Sequence, residues 1–305
     1  MKRKKMKMTL GERIFVSTNY TLLTIIFIIM IYPILYVISA SISDPFAVSS
    51  GKMLLWPVKP TLDGYKFIFR YKEVWTGYAN TIFYTVTGTV CSLLVTIPCA
   101  YVLSRKDIEG RKLIMFLFLF TMYFNGGLIP TYLNMNSLGL VNTRAAMVLN
   151  GMVSVYNLIV ARTFFLNSIP YELQEAAYLD GCSNFKLFLK VVIPLSAPIL
   201  IVQALYYGVA QWNAYFEAMV YLKDRTMFPL QVILKEILTQ SRLAAEALQE
   251  GGYSSEEIAA YKAMGERADQ MKYGIIVIAS LPMMIVYPFL QKFFNKGMLV
   301  GSVKG

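Results

Sequence analysis

Long apolar stretches separated by short charged segments dominate the pattern along the chain. Because the core of a bilayer requires about 20 consecutive apolar residues in a helix, stretches without charge predict membrane spans. We expect six spans, within residues 20–40, 73–105, 112–132, 144–162, 190–212 and 272–292. An even number of spans places both termini on the same side. The pattern therefore predicts an all-α, polytopic membrane protein with about six transmembrane helices.

The composition agrees with this interpretation. Of the 305 residues, 56% are hydrophobic and only 15% are charged, whereas a soluble domain is about half apolar and a quarter charged. The basic start at residues 1–5 leaves a cleaved signal peptide as an alternative. The apolar run that follows is too long for the core of a signal peptide, and five more spans come after it. We therefore expect a retained membrane anchor.

The distribution of charge predicts the orientation. Residues 1–13, 105–112, 162–190 and the segment from Lys292 onward hold sixteen Lys and Arg and six acids, which accounts for +10 of the total charge of +11. Since basic loops remain inside, these segments are predicted to be cytoplasmic. We therefore predict a cytoplasmic segment 1–19, a transmembrane domain 20–294 with a cytoplasmic loop 167–190, and a cytoplasmic tail 295–305.

Two outer segments, 43–78 and 213–272, are longer than tight turns. The second predicts a helix after Pro229 and a polar helical stretch from Arg242 to Asp269, which Gly251 and Gly252 interrupt. Such a charged segment is either a solvated cap or a surface on which another protein docks. Both interpretations remain open.

The sequence lacks the residues that several other functions would require. No basic run is interleaved with aromatic residues, which argues against nucleic-acid binding. The chain has no histidine, and its three cysteines have no paired spacing, so no metal site or catalytic residue is predicted. The phosphate-binding sequence of an ATPase is absent as well. A membrane enzyme or a proton-coupled carrier would need ionisable residues within the spans, yet the charges lie mainly at their ends.

The segment 168–181, between the fourth and fifth predicted spans, is the most informative part of the sequence. Pro170 fits the first turn of a helix, Ser168 is a candidate cap, and Glu172 and Glu175 suit the positive end of the helix dipole. Gly181 fits the left-handed turn that ends a helix. We therefore expect a short helix and a glycine turn.

A second helix is expected to follow this turn. Ser183 or Asn184 is a suitable cap, and the helix from about Phe185 would lead through Pro194 into the fifth span. In the first helix, the small residues Ala176 and Ala177 beside a leucine predict a shallow apolar face. Such a face would let a groove of another protein approach closely.

The spacing of these residues resembles that of the permease subunits of binding-protein-dependent ATP-binding-cassette importers. Their cytoplasmic signature is Glu-Ala-Ala, three residues, Gly, nine residues and Ile-x-Leu-Pro. Here Glu175-Ala176-Ala177 and Gly181 are followed by Val191-Val192-Ile193-Pro194, with every spacing kept. The two departures are exchanges between aliphatic residues. The resemblance implies that the following residues contact the ATPase or shape that contact: Glu172, Glu175, Ala176, Ala177, Asp180, Gly181 and Pro194.

Three further runs, 126–132, 138–140 and 162–165, resemble the maltose-type carbohydrate permeases, and most closely their branch for complex or uronic-acid-containing oligosaccharides. This resemblance extends from about Tyr65 to the C-terminal end. It implies a type I importer permease in a bacterial cytoplasmic membrane. The implied partners are a second homologous permease subunit, two cytoplasmic ATPase subunits that bind ATP and Mg²⁺, and an extracytoplasmic solute-binding protein. It also implies alternating access driven by closure of the ATPase pair. No cofactor is expected in this chain itself.

Residues that contact the cargo are harder to identify. Sugars bind to aromatic faces and polar side chains, but such residues also form the interfacial aromatic belt or join helices to each other. A non-sugar solute such as an amino acid or phosphate remains the alternative cargo, because the coupling signature reports only the ATPase partner. The candidates within or next to the spans are Asn80, Tyr84, Asn125, Tyr156, Asn157, Gln203, Tyr206, Tyr207, Gln211, Trp212 and Asn213.

Overall fold

The structure, a computed structural model, describes residues 9–250 and 253–302, with the side chains of 250 and 289–302 left out. The basic start, Gly251, Gly252 and residues 303–305 lie outside the described residues. All regular elements in the described part are helical. The helices are α1 Leu10–Ser41, α2 Pro45–Ser49, α3 Asp63–Arg70, α4 Lys72–Ser104, α5 Arg111–Tyr123, α6 Leu128–Ser137, α7 Arg144–Leu149, α8 Val155–Ser168, α9 Tyr171–Leu179, α10 Asn184–Leu187, α11 Ile193–Leu195, α12 Ala197–Trp212, α13 Phe216–Tyr221, α14 Leu230–Glu250 and α15 Ser255–Ser302.

The chain divides into two compact units, and α14 and α15 contribute to both. The first unit contains α1 to α3 with residues 237–278. Here α3 approaches α15 so closely that a Cβ atom on Gly64 would lie 2.2 Å from the carbonyl oxygen of Gln270. The ring of Tyr36 on α1 meets that of Tyr273 edge to face at 6.0 Å. Glycine therefore allows the close packing of helix backbones in this unit.

Helix α1 begins at a capping box, in which Thr9 and Glu12 satisfy each other's backbone amides. Its most apolar stretch is not covered by any other described part of the chain. Phe27, for example, is 63% exposed, and Ile29 is 66% exposed. A soluble protein does not leave such a surface in water, whereas lipid tails or another membrane helix would cover it favourably.

The second unit is built around α4, α8 and α12. Small residues such as Ala100 on α4 and Ala161 on α8 are fully buried and let these helices approach closely. A Cβ atom on Gly88 would lie 2.7 Å from Cδ of Gln211, so α4 and α12 also meet at a glycine. The hydroxyl groups of Thr96 on α4 and Tyr207 on α12 are 2.7 Å apart. Close packing and buried hydrogen bonds both hold this helix bundle together.

The first, second and sixth predicted spans are confirmed as helices long and apolar enough to cross a membrane: α1, α4 and the part of α15 up to Pro288. The sixth span differs in one respect. We placed its start at Lys272, but α15 begins at Ser255 and continues from the polar segment into the apolar one without a break.

The third and fifth predicted spans are bent rather than straight. The axes of α5 and α6 differ by 115°, and the segment up to α11 meets α12 at 80°. The first bend falls at Gly127, which has a φ of +87°. The second falls at Ser196, where Pro198 lacks the amide that would continue the helical hydrogen bonding. If each bent pair is one span, the described residues hold up to five candidate spans.

The predicted fourth span, between Arg144 and Arg162, falls on two helices rather than on one. The structure has two helices, α7 and α8, separated by residues 150–154, where Gly151 has a φ of +71°. Helix α8 then continues past Arg162 to Ser168 and has only 14 residues. At 1.5 Å per residue, it is about 21 Å long and shorter than a typical bilayer core. The span was predicted from a stretch without charged residues, and that criterion does not reveal a break in the helix.

Candidate functional site

Helix α9 and the turn after it match the prediction closely. The helix runs from Tyr171 to Leu179, and Gly181 follows with a φ of +68°. The amide of Gly181 donates to the carbonyl oxygen of Tyr178 at 3.0 Å, and that of Cys182 donates to Ala177 at 2.9 Å. These two bonds form a Schellman motif, which satisfies the last carbonyl groups of the helix. Gly181 therefore ends α9, as predicted.

The start of α9 differs from the prediction. Ser168 is the last residue of α8 and does not cap α9. Pro170 occupies the N-cap position of α9 with an extended backbone, so no side chain caps the start of this helix. Ser183 caps the next helix as expected, because its Oγ accepts from the amide of Lys186 at 3.3 Å. A π-helical stretch, Phe188–Val192, then leads to Pro194 in α11, just before the 80° bend.

One face of α9 turns toward solvent. Glu172, Glu175 and Ala176 are exposed, and Leu179, one turn further along, is 90% exposed. We call these four residues the exposed α9 face. Ala177 has the opposite position, because it packs with Leu173 against the core of the second unit. The predicted shallow surface is therefore built on Ala176 rather than on both alanines.

Leu179 and Phe185, which were not predicted from the sequence, lie on either side of the Gly181 turn. Phe185 is 73% exposed and follows this turn in the sequence. Two large apolar side chains exposed beside glutamates are typical of a surface that another protein covers. The spacing of Leu179 from Glu175 and Ala176, four and three positions, was a signal for its place on the same face. Asp180 and Gly181 are exposed at the end of this face.

Arg105, directly after α4, was not predicted from the sequence either. Its side chain is 5% exposed. Nε donates to Oδ1 of Asp107 at 2.9 Å, and one terminal nitrogen donates to Oδ1 of Asn184 at 2.7 Å. The other terminal nitrogen contacts Asp107 and the hydroxyl of Tyr178 on α9. That hydroxyl also donates to Asn184 at 2.6 Å. We call Arg105, Asp107, Tyr178 and Asn184 the Arg105 cluster.

The charges within the Arg105 cluster stabilise one another. The hydrogen bonds from Arg105 lower the pKa of the Asp107 carboxyl below its ordinary value of 3.8. Those same bonds raise the pKa of Arg105 further. Both groups are therefore ionised at neutral pH, and their bonds are of the strong, charge-assisted kind.

Six of the predicted cargo-contact residues are buried, and each has hydrogen bonds within the chain. The amide nitrogen of Asn80 donates to the carbonyl oxygen of Thr226 at 2.7 Å, and that of Gln203 donates to Asn157 at 3.0 Å. Five of the six are Asn80, Asn157, Gln203, Tyr207 and Trp212. The sixth is Tyr84, whose hydroxyl donates to Met227 at 2.9 Å.

The remaining candidates are more accessible. Tyr206 is 40% exposed, and its ring lies 6.3 Å from that of Tyr156, which is 54% exposed. Asn125 and Asn213 are exposed, and Gln211 is half-buried. The structure thus brings Tyr156 and Tyr206 together on one surface. Among the described residues, no group of three acidic, cysteine or histidine side chains lies close enough to hold a metal ion.

The family model described as "Binding-protein-dependent transport system inner membrane component" matches residues 74–300. A polygalacturonan/rhamnogalacturonan transport system permease protein, YtcP of Bacillus subtilis (strain 168), is 39% identical and aligns over 96% of this chain and 99% of its own. Protein LplC of the same organism is 38% identical, with 97% of each chain covered.

A solved structure is similar as well. It is the crystal structure of a bacterial ABC transporter involved in the import of the acidic polysaccharide alginate. The matching chain has a TM-score of 0.82 and 37% sequence identity, with 95% of this chain and 100% of that chain covered. These similarities confirm the type I importer permease fold. The chain therefore belongs to the family of inner membrane components of binding-protein-dependent transport systems.

Proposed function

We propose that this chain is one permease subunit of an ATP-driven importer and that residues 167–190 receive the ATPase. The observation that carries the proposal is the exposed α9 face, ended by the Schellman turn at Gly181. Exposed apolar residues next to carboxylates suit a protein partner. ATP and Mg²⁺ would bind to that partner, which hydrolyses the nucleotide. In this mechanism, closure of the ATPase pair displaces α9 and drives alternating access.

The predicted coupling residues have different roles in this proposal. Glu172, Glu175 and Ala176 form the contact surface, together with Leu179, and Asp180 lies at its end. Ala177 fixes α9 to the core, and Gly181 sets the direction of the chain after the helix. Pro194 precedes the bend into α12.

The proposed cargo is an oligosaccharide, in particular one that contains uronic acids. The names of the similar permease and of the similar structure support it, since one transports polygalacturonan and rhamnogalacturonan and the other imports alginate. Both chains align over almost their whole length with this one. The alternative, an amino acid or phosphate, has no such support.

Among the cargo-contact candidates, we propose that the exposed residues Asn125, Tyr206 and Asn213 meet the sugar, together with the half-buried Gln211. Tyr156 joins this set through its contact with Tyr206. Aromatic faces suit the apolar faces of sugar rings, and amides suit their hydroxyl groups. The buried residues, Asn157 and Gln203 for example, would hold the helices in position instead.

The proposed assembly contains a second homologous permease, two ATPase subunits and an extracytoplasmic solute-binding protein. The charge distribution supports cytoplasmic termini, with segments 43–78 and 213–272 on the outer side. The outer segment 213–272 would meet the binding protein. Its Arg225 is held by Glu73 and Glu236 at 2.8 and 2.9 Å, which fixes the loop before α14.

The cargo is tested by uptake measurements in cells that lack this chain. We expect loss of the ATP-dependent uptake of oligogalacturonides, restored by the chain in trans, with the uptake of amino acids and phosphate unchanged. Glucose uptake serves as the control for the membrane's energy state. A selective defect in amino-acid or phosphate uptake would refute the carbohydrate assignment.

A further inference from the structure

The Arg105 cluster joins parts of the chain that are distant in sequence. Asp107 follows α4 directly, whereas Tyr178 and Asn184 lie 73 and 79 positions from Arg105. Tyr178 belongs to α9 and Asn184 begins α10, so one guanidinium binds to the helices on both sides of the Gly181 turn. Both ends of this turn are therefore attached to the end of α4.

A cluster of aromatic rings lies at α4, one helical turn before Arg105. The ring of Tyr101 stacks on that of Phe188 at 5.2 Å and meets that of Phe165 edge to face at 5.6 Å. Phe165 belongs to α8, which precedes α9, and Phe188 begins the π-helical stretch that follows α10. The end of α4 thus contacts the chain before, within and after the segment that carries the exposed α9 face.

Arginine suits this position because of its planar group of five donors. It can bind a carboxylate with two nitrogens and still reach an amide oxygen and a hydroxyl. A lysine in the same place has one nitrogen and cannot span all three partners. The nine-residue α9 has only a narrow inward face, formed by Leu173, the buried Gln174 and Ala177, and further attachment would make it move together with α4.

We propose that Arg105 is a positioning residue that locks α9 and α10 to the end of α4, so that a displacement of α9 passes directly into that span. The proposal rests on the proposed ATP-driven movement of α9 and is independent of the cargo. It predicts that the Gly181 turn and α4 move as one body. Removal of the lock should let α9 move without α4.

The first experiment measures distances by pulsed EPR in the complete transporter complex. Spin labels replace two exposed residues, Leu94 on α4 and Lys186 on α10, after exchange of the three natural cysteines. With intact Arg105, we expect the same distance in the nucleotide-free and the ATP-vanadate-trapped complex. Arg105→Gln should shift or broaden the distance in the trapped complex only. A distance that changes between states in the unsubstituted complex, or stays equally narrow in Arg105→Gln, would refute the lock.

The second experiment removes one hydroxyl group and so limits any effect on folding. Tyr178→Phe loses the contacts to Arg105 and Asn184, whereas the matched Tyr171→Phe change on the same helix removes an exposed hydroxyl outside the cluster. We expect Tyr178→Phe to lower the uptake per ATP hydrolysed about fivefold or more, because two hydrogen bonds are lost, with normal assembly. Tyr171→Phe should behave as the unsubstituted chain. Equal ratios in both variants would contradict the proposal, because a purely structural role would change the amount of complex rather than this ratio.

Discussion

The amide of Gly181 donates a hydrogen bond of 3.0 Å to the carbonyl oxygen of Tyr178, and Gly181 adopts a φ of +68° to do so. A Cβ atom on Gly181 would meet no other atom of the described residues within 4 Å. Space therefore does not restrict this position, and only the backbone conformation favours glycine. A substitution at Gly181 therefore tests the effect of backbone conformation without an effect of crowding.

Gly181→Val should consequently strain the turn by about 1 kcal/mol or more and impair coupling to the ATPase. Gly139→Val is the matched control, since Gly139 has the same φ and equally open surroundings but lies outside segment 167–190. We expect both variants to insert and to pair with the second permease, and only Gly181→Val to lose stimulated ATP hydrolysis. The check is the ATPase rate of purified, assembled complexes. Normal stimulation in Gly181→Val would count against the role of this turn.

The turn was predictable because its chemistry is local. Gly181 and Ser183 have residue types that favour a helix end and a helix start, whatever the rest of the chain does. Most span positions were predictable for a related reason, since the bilayer selects for uninterrupted apolar sequence. The break at Gly151 was not predicted. We placed the spans by the absence of charge, and an uncharged stretch does not reveal where its backbone departs from the helix.

The Arg105 cluster was not predictable, because its partners are distant in sequence. Asn184 lies 79 positions away, and only the folded chain brings it to Arg105. The exposure of Leu179 and Phe185 was missed for a different reason. Apolar residues near a membrane span suggest burial, whereas the packing of Leu173 and Ala177 turns the other side of α9 outward.

Glu175→Lys should weaken the binding of the ATPase. It reverses a charge at the centre of α9, on the exposed α9 face that we propose the ATPase contacts. Glu256→Lys is the control, because Glu256 is an exposed acid in the first turn of α15, outside the exposed α9 face. The affinity of the ATPase subunits is measured by co-purification at graded salt. A decrease of similar size in both variants would show that the α9 face is not specific.

The topology predicts different labelling of three exposed lysines. Single cysteines at Lys106 and Lys186 should be protected from a membrane-impermeant thiol reagent in intact cells, and a cysteine at Lys262 should react. All three positions are exposed in the structure, so burial does not explain a difference. Permeabilised cells provide the control, in which all three should react. Labelling at Lys106 or Lys186 in intact cells would reverse the orientation.

The Arg105–Asp107 pair predicts a defined dependence of stability on pH. Because folding lowers the pKa of Asp107 below 3.8, the pair stabilises the folded chain above this value, and the contribution declines as pH falls through the folded pKa. Thermal unfolding of the purified complex should therefore differ between the unsubstituted chain and Asp107→Asn by a constant amount from about pH 5 to pH 8. The difference should shrink only under more acidic conditions. A difference that disappears near neutral pH would contradict the assignment of this ion pair.

The central claim is that the exposed α9 face is the docking surface for the ATPase. A photo-crosslinking amino acid at Leu179, which is 90% exposed, tests it most directly in the assembled transporter. The same substitution at Leu138, which is 63% exposed and lies outside segment 167–190, is the matched control. We predict a crosslink to the ATPase subunit from position 179 and none from position 138. The absence of an ATPase crosslink from position 179, in a complex that hydrolyses ATP, would contradict the account.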